Sequence, residues 1–426
     1  MCFSIFILLQ SLVSLAGVIR FSLYALRKKP SRPNRYQPKA VVIVPCRGLD
    51  HDFEDNIRSY LIQEYRDYEI ILVTESESDP AYGVLTKLIK SARHPVWMVV
   101  SGDAQDQGQK VHNLCAAIDL LNAVDRRTEV LVFADSDAHV DRKWLAELVN
   151  PLGDKRVGAT TGFRWYLPAH GQRWLGGRFA SILLSIWNSS ALSLLGERSG
   201  FAWGGSTAIR RETFDKLGIK DRWRGAVSDD YVLSSAVKES GKCIKFVPRC
   251  LVRSNSDSTL SELLEFTTRQ MRITRVYSPR IWKLACFSHC LYNITLWTGL
   301  VRIVSGGYRG AGAGHHLIAW LLLGIVGLGA MSGWIRVGVA ADLLPAERER
   351  AQRVWWAFVL LGPVISLLYL YNILASLGTR RIIWRGIGYE MISPSETLVL
   401  DRPADTDSDT RKSKKKRKRD IKSQKS

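Results

Sequence analysis

The 426-residue chain is predicted to be an α/β protein built on a mostly parallel sheet and held in a membrane by transmembrane helices. Three observations carry that prediction. Four short, near-continuously apolar, β-branched runs alternate with helical stretches, the pattern of parallel strands buried on both faces. Uncharged apolar runs flank this region, each reaching the roughly 20 residues that a spanning helix needs. Acidic side chains recur just beyond three of the four strands, where open α/β sheets bind their ligands.

Residues 1–19 contain no charged side chain, and the first positive charges, Arg20, Arg27, Lys28 and Lys29, follow the run rather than precede it. That order predicts an uncleaved anchor over 1–28, with the N-terminus outside and the next domain in the cytoplasm. A Pro-rich linker at 30–38 leads into a domain spanning 29–280. Its strands are predicted at Ala40–Cys46, Glu69–Thr74, Trp97–Ser101 and Glu129–Ala134, with a helix over 110–124 between the last two. Neither GxGxxG nor a P-loop follows any of them, so the usual dinucleotide and ATP cradles are absent.

Residues 281–379 are read as transmembrane or interfacial helices. The runs 310–335 and 354–379 are uncharged, whereas 284–301 carries His289 and Asn293 and is expected to lie in the interface or re-enter. A juxtamembrane segment occupies 380–410. Residues 411–426 hold ten Lys/Arg and one Asp, so +9 of the net +20 sits in a tail expected to be disordered and attracted to anionic headgroups. A uniformly basic nucleic-acid-binding domain is thereby disfavoured, and no aromatic residues interleave with the tail's charges. The seven cysteines form no CxxC pair or regular framework, as expected of thiols kept reduced.

The strand ends carry the chemistry. Asp135-Ser136-Asp137 follows the fourth strand. Two carboxylates one residue apart read either as a solvated turn or as ligands for a hard divalent ion, Mg²⁺ or Mn²⁺, that grips a diphosphate. Asp229-Asp230 precedes an apolar helix and reads either as an N-cap with a first-turn charge or, facing a pocket, as a source of a general base.

The ordered set of motifs resembles the family 2 glycosyltransferases of the GT-A fold, a Rossmann-like arrangement, and most closely their membrane-bound, ceramide glucosyltransferase-like branch. The resemblance covers roughly 38–278, with a second stretch at 380–390. It implies that Pro45 at the first strand end and Glu75 in Val73–Asp79 (VTESESD) face the donor nucleotide. Gly108–Leu114 (GQKVHNL) resembles G-x-K-x-x-N-L, which implies Lys110 and Asn113 beside the donor. It further implies Asp135 and Asp137 as the metal-binding DxD, Gly205 within Gly204-Gly205-Ser206 as a close backbone approach, and Asp230, beside Asp229, as the base. Arg269-Gln270-Met271-Arg272-Ile273 is similar to (Q/R)-x-x-R-W, placing Arg269 and Arg272 at the diphosphate and Ile273 where Trp is usual. Ile383-Trp384-Arg385-Gly386 resembles a W-R-G element found after the last spans of this branch.

The expectation that follows is inverting transfer of one sugar from a nucleotide sugar, a UDP-hexose, to a ceramide-like lipid at the cytoplasmic membrane face. Residues 179–196 are apolar yet lie between two acid clusters that must share one site, so they are expected to form an interfacial or core helix. A processive polysaccharide synthase of the same superfamily is the nearest alternative. A non-catalytic membrane scaffold with a basic tail is the alternative from another class, and it leaves Glu75, Asp135, Asp137 and Asp230 unexplained together.

Overall fold

The computed structural model describes residues 2–27, 36–50, 52–124, 127–169, 175–198, 200–307 and 313–402. The polybasic tail and most of the Pro-rich linker lie outside the described residues.

The four predicted strands form within a residue of their expected ends: β1 (Ala40–Pro45), β2 (Tyr68–Thr74), β3 (Val96–Val100) and β4 (Val130–Ala134). With β5 (Val157–Pro168), β6 (Ser206–Arg210) and β7 (Cys243–Ser256) they make one seven-stranded sheet, ordered β3-β2-β1-β4-β6-β5-β7. Pairing is parallel from β3 to β4 and between β5 and β7, while β6 runs antiparallel to both its neighbours. Alternation along β1 sends Val42 and Val44 into a layer with Tyr60, Leu85 and Trp144, and Val41 and Ile43 into one with Val111, Leu114 and Phe133. Both faces are therefore covered, as the unbroken apolar runs require. β3 departs from the expectation of two-sided burial. It is the edge strand, and Trp97 stays exposed with its indole N–H donating to Glu69 at 2.9 Å.

A second core joins the sheet to the apolar helices. The helix Leu175–Ser189, which overlaps the 179–196 run expected to be interfacial or core, buries Ile182, Leu183 and Ile186 against β5 residues Phe163, Trp165 and Leu167. Val337, Ala340 and Phe358 join the same cluster from the C-terminal helices.

Three helices are long and apolar enough to cross a membrane: Ile5–Ala25, Pro279–Ser305 and His316–Leu343. This differs from the sequence reading in two places. The 284–301 run lies inside a continuous 29-residue helix, because His289 and Asn293 find partners: His289 Nδ1 lies 3.0 Å from Ser366 Oγ, and Asn293 donates to the Ser366 carbonyl at 3.2 Å. The 354–379 run is instead broken at Leu361 into Trp355–Leu360 and Gly362–Leu377, with Pro363 in the first turn of the second piece.

That C-terminal segment is a folded cap. β8 (Arg381–Trp384), β9 (Ile387–Ser393) and β10 (Glu396–Val399) form an antiparallel sheet. The W-R-G element is the β8–β9 turn, with φ of 52° at Arg385 and 80° at Gly386. Thr397 Oγ1 donates to the Gly225 carbonyl at 2.7 Å, and Tyr389 Oη accepts from the Gln109 N–H at 3.2 Å, so the cap rests on the loops of the seven-stranded sheet.

Candidate active site

A cavity of about 1500 Å³ opens beyond the carboxyl ends of β1 and β4. Its polar end is built from four elements. Asp135 and Asp137 sit in the turn after β4. Lys110 is the second residue of the helix Gln109–Val124, and Asp229 and Asp230 open the helix Asp229–Glu239. Arg164 comes from the middle of β5.

These groups neutralise one another in a connected network. Lys110 Nζ lies 2.9 Å from Asp135 and 3.3 Å from Asp229. Arg164 donates to Asp137 at 2.5 and 2.8 Å, to Asp135 at 3.0 Å and to Tyr166 Oη at 3.0 Å, with its guanidinium 4.9 Å above the Trp203 ring. Burial alone would raise the Asp137 pKa, and Arg164 reverses that and holds it below the ordinary carboxylate value. Burial pushes Asp229 up to about 6 against the pull of Lys110, with Asp230 and Asp135 adding to the rise. Lys110 is kept charged, above its ordinary value, because Asp135 and Asp229 outweigh its burial.

Asp230 is held differently. Its Oδ1 accepts from Ser228 Oγ and, at 2.8 Å, from the Tyr231 N–H. No lysine or arginine pairs with it among the described residues. The glycines are dictated by crowding: a Cβ at Gly205 would stand 2.6 Å from Asp135 Oδ2, and one at Gly204 would stand 2.7 Å from Lys110 Nζ.

Of the residues singled out from sequence, Pro45, Lys110, Asn113, Asp135, Asp137, Asp229, Asp230 and Arg269 line this one cavity, and Gly205 backs Asp135. Asn113 is buried and accepts from Ser101 Oγ at 2.8 Å. Arg269 stacks on Phe266 and Trp384 and donates to the Ile383 carbonyl, and burial pulls its pKa down to about 10. Two residues are placed elsewhere. Glu75 pairs with Arg47 and lies 3.6 Å from Arg402, off the cavity wall. Arg272 donates to the carbonyls of Arg381 and Ala375, so it ties the cap to its helix rather than facing a diphosphate.

The sequence reading missed Arg164 and the pair in which Arg385 holds Asp50 at 2.6 and 2.7 Å. Arg164 is visible in the sequence only as the one charge among the twelve residues of β5, which does not tell what it faces.

Away from the carboxylates the cavity wall becomes aromatic. Tyr166 meets Phe266 at 6.1 Å, Phe266 meets Trp187 at 6.3 Å, Trp187 stacks on Tyr369 at 5.2 Å, and Tyr369 stacks on His289 at 4.4 Å. The cavity thus runs from Asp137 through Arg164 to the helices that are long enough to cross a membrane.

The sequence model of glycosyl transferase family 21 matches residues 6–395, from the N-terminal helix to the cap. The chain belongs to this family. The expected kinship with ceramide glucosyltransferase-like enzymes of GT-A fold is borne out at that level. Ceramide glucosyltransferase 1 of Caenorhabditis elegans is 20% identical over 334 residues, covering 74% of this chain and 66% of the relative. Ceramide glucosyltransferase 3 of the same organism is 20% identical over 284 residues, 64% of this chain and 58% of the relative. The chain thus spans less than two thirds of the length of these curated relatives. Among solved structures, the mannosyltransferase PcManGT from Pyrobaculum calidifontis, in complex with GDP-Man and Mn²⁺, is similar at a TM-score of 0.46 and 15% identity, covering 87% of this chain and 97% of that one.

Proposed function

We propose that this family 21 glycosyltransferase moves a single sugar from a nucleotide sugar, a UDP-hexose, to a ceramide-like lipid, with inversion, at the cytoplasmic face of the membrane. One observation carries the reading: a single cavity joins the acid network at the sheet's edge to the apolar helices along an aromatic wall. A soluble acceptor would not need that second end.

In this reading Asp230 is the base. It alone of the four acids has no lysine or arginine partner among the described residues, so its carboxylate is free to take the acceptor hydroxyl's proton. A base acting opposite the leaving group gives inversion in one displacement. Lys110 and Arg164 place fixed positive charge where the departing nucleotide diphosphate gathers negative charge. Asp229 acts by holding Lys110, and Gly204 and Gly205 leave the room that close approach requires.

The residues also fit a divalent ion, Mg²⁺ or Mn²⁺. Asp135 and Asp137 converge on one cationic nitrogen of Arg164, and three paired carboxylates share two cations with Asp230, unpaired among the described residues, beside them. Among the described residues no cluster of three or more metal-ligating side chains occurs. Two carboxylates completed by diphosphate oxygens and water are the usual arrangement for Mg²⁺ with nucleotide substrates. When bound, such an ion would add positive charge at the diphosphate.

The test is to incubate membranes containing the full chain with a panel of UDP-hexoses and candidate lipids. The product would be identified by mass and its anomeric linkage assigned by NMR. An inverted glycolipid is expected; a retained linkage, or sugar released only to water, would overturn the reading.

A further inference from the structure

Arg164, Arg269 and Arg336 all line the cavity with a buried Nε that lacks a partner, but Arg164 is ion-paired and Arg269 donates to the Ile383 carbonyl. Arg336 lies within the apolar helix stretch His316–Leu343. The one ionisable group within its electrostatic reach among the described residues is Tyr369. That hydroxyl is already engaged, 2.5 Å from Ser190 Oγ and 3.1 Å from the Trp187 carbonyl. An uncompensated guanidinium at membrane depth points to a ligand rather than to packing.

The depth suits a lipid headgroup. Arg336 is seven residues from the end of its helix at Leu343, about 10 Å at 1.5 Å per residue. Just beyond that end Glu347 pairs with Arg253 at 2.9 Å, and Arg350 donates to the Pro168 carbonyl at 2.8 Å, so the sheet side of the bilayer begins there. The boundary between headgroups and acyl chains lies within such a distance. Farther from Leu343 along the helices, where Leu8 packs beside Gly324, the N-terminal helix contributes Gln10, Ser11 and Ser14 to the cavity lining. Ser332, one turn before Arg336, lines the same wall with its hydroxyl donating to the Leu328 carbonyl at 2.9 Å.

We infer that this end of the cavity binds the phosphate of an anionic phospholipid, with Arg336 as its bidentate donor and the acyl chains between the long helices. A guanidinium matches a phosphate through parallel N–H donors, and a zwitterionic or neutral lipid would leave its charge unbalanced. The site rests on the long helices crossing the membrane and not on the transfer reaction proposed above.

The full chain would be reconstituted in nanodiscs of equal parts phosphatidylcholine and phosphatidylglycerol, then extracted in high salt. Salt strips lipid held only by surface charge but not lipid held in a buried site. Native mass spectrometry would then count retained lipid. The wild type is expected to keep phosphatidylglycerol over phosphatidylcholine by about tenfold, as a charge-assisted contact worth one decade would give. R336Q should erase that preference, and R336K should keep part of it. Ser332→Leu, which fills the space beside Arg336 without touching its charge, should lower retention of both lipids and serves if R336Q does not insert. No headgroup preference in the wild type, or unchanged retention in R336Q or S332L, would overturn the inference. The readout needs neither donor nor acceptor, so a failure of glycosyl transfer would leave it standing.

Discussion

Arg164 grips Asp137 through both of its terminal nitrogens, at 2.5 and 2.8 Å, and its side chain is only 8% exposed. This pair fixes the charge balance of the site. R164M would leave Asp135 and Asp137 facing each other with Arg385 and Lys110 as their remaining neutralisers. The expected cost is about 1–3 kcal/mol of stability, at the lower end because the two acids are partly exposed. Transfer should fall by about 10²–10³, the range for losing one preorganised electrostatic donor. If the acids hold a divalent ion, Mg²⁺ or Mn²⁺ should raise the melting temperature of R164M more than that of the wild type. Thermal unfolding with and without metal checks both statements.

Asp230→Asn removes the proposed base while keeping shape and the Tyr231 contact. Turnover should drop by about 10²–10⁴, the contribution typical of a positioned base. Binding of the donor nucleotide, followed by calorimetry, should stay within about twofold, because Lys110 and Arg164 are untouched. Turnover like that of the wild type would remove Asp230 from the mechanism.

The raised pKa of Asp229, about 6, has consequences for activity and stability that run in opposite senses. As pH falls through 6 the carboxyl protonates and Lys110 keeps only Asp135, so kcat/KM should show an acid limb near pH 6 that D229N lacks. Since the folded value lies above the unfolded value of about 4, the folded state holds the proton longer. This group's contribution to stability is therefore greatest below about pH 4 and is lost as pH rises through about 6. A pH–rate profile and urea titrations across that interval test the two limbs.

The parallel strands were legible because two-sided burial writes itself as unbroken apolar runs, as in AVVIVP of β1. Asp135, Asp137, Lys110 and Asp229 were legible because short motifs place them at strand or helix ends. Arg164 was not, since its role depends on β5 sitting two strands from β4, a juxtaposition set by the sheet order rather than by spacing. Arg272 was misplaced for a related reason. Its motif fixes its helix, whereas what it faces is decided by the cap, whose docking on that helix no local pattern announces. Likewise the 284–301 run was undervalued because the partners of His289 and Asn293 lie more than 70 residues away, at Ser366.

The cap's seat gives the remaining prediction. Gly225 has φ of 72°, and a Cβ there would run into the Ser395 carbonyl in the β9–β10 turn. Gly225→Ala therefore combines backbone strain with a clash, and the Gly225 carbonyl is also the acceptor for buried Thr397. The strain belongs to a position outside the acid network, so the sheet should fold while the cap loosens. Tyr389 would then leave the Gln109 N–H at the start of the Lys110 helix, and Arg385 would leave Asp50, whose pKa burial already raises. Limited proteolysis should cut first within 378–402 in the variant and not in the wild type. Thr397→Val, which removes the hydrogen bond without strain, should give the same cleavage more weakly, at a cost of about 0.5–1.5 kcal/mol. Equal protection of this segment in G225A and wild type would mean that the Gly225 seat is dispensable and the cap is held by its other contacts, the apolar cluster around Tyr389 and Met391 and the pairs Arg385 with Asp50 and Arg402 with Asp103.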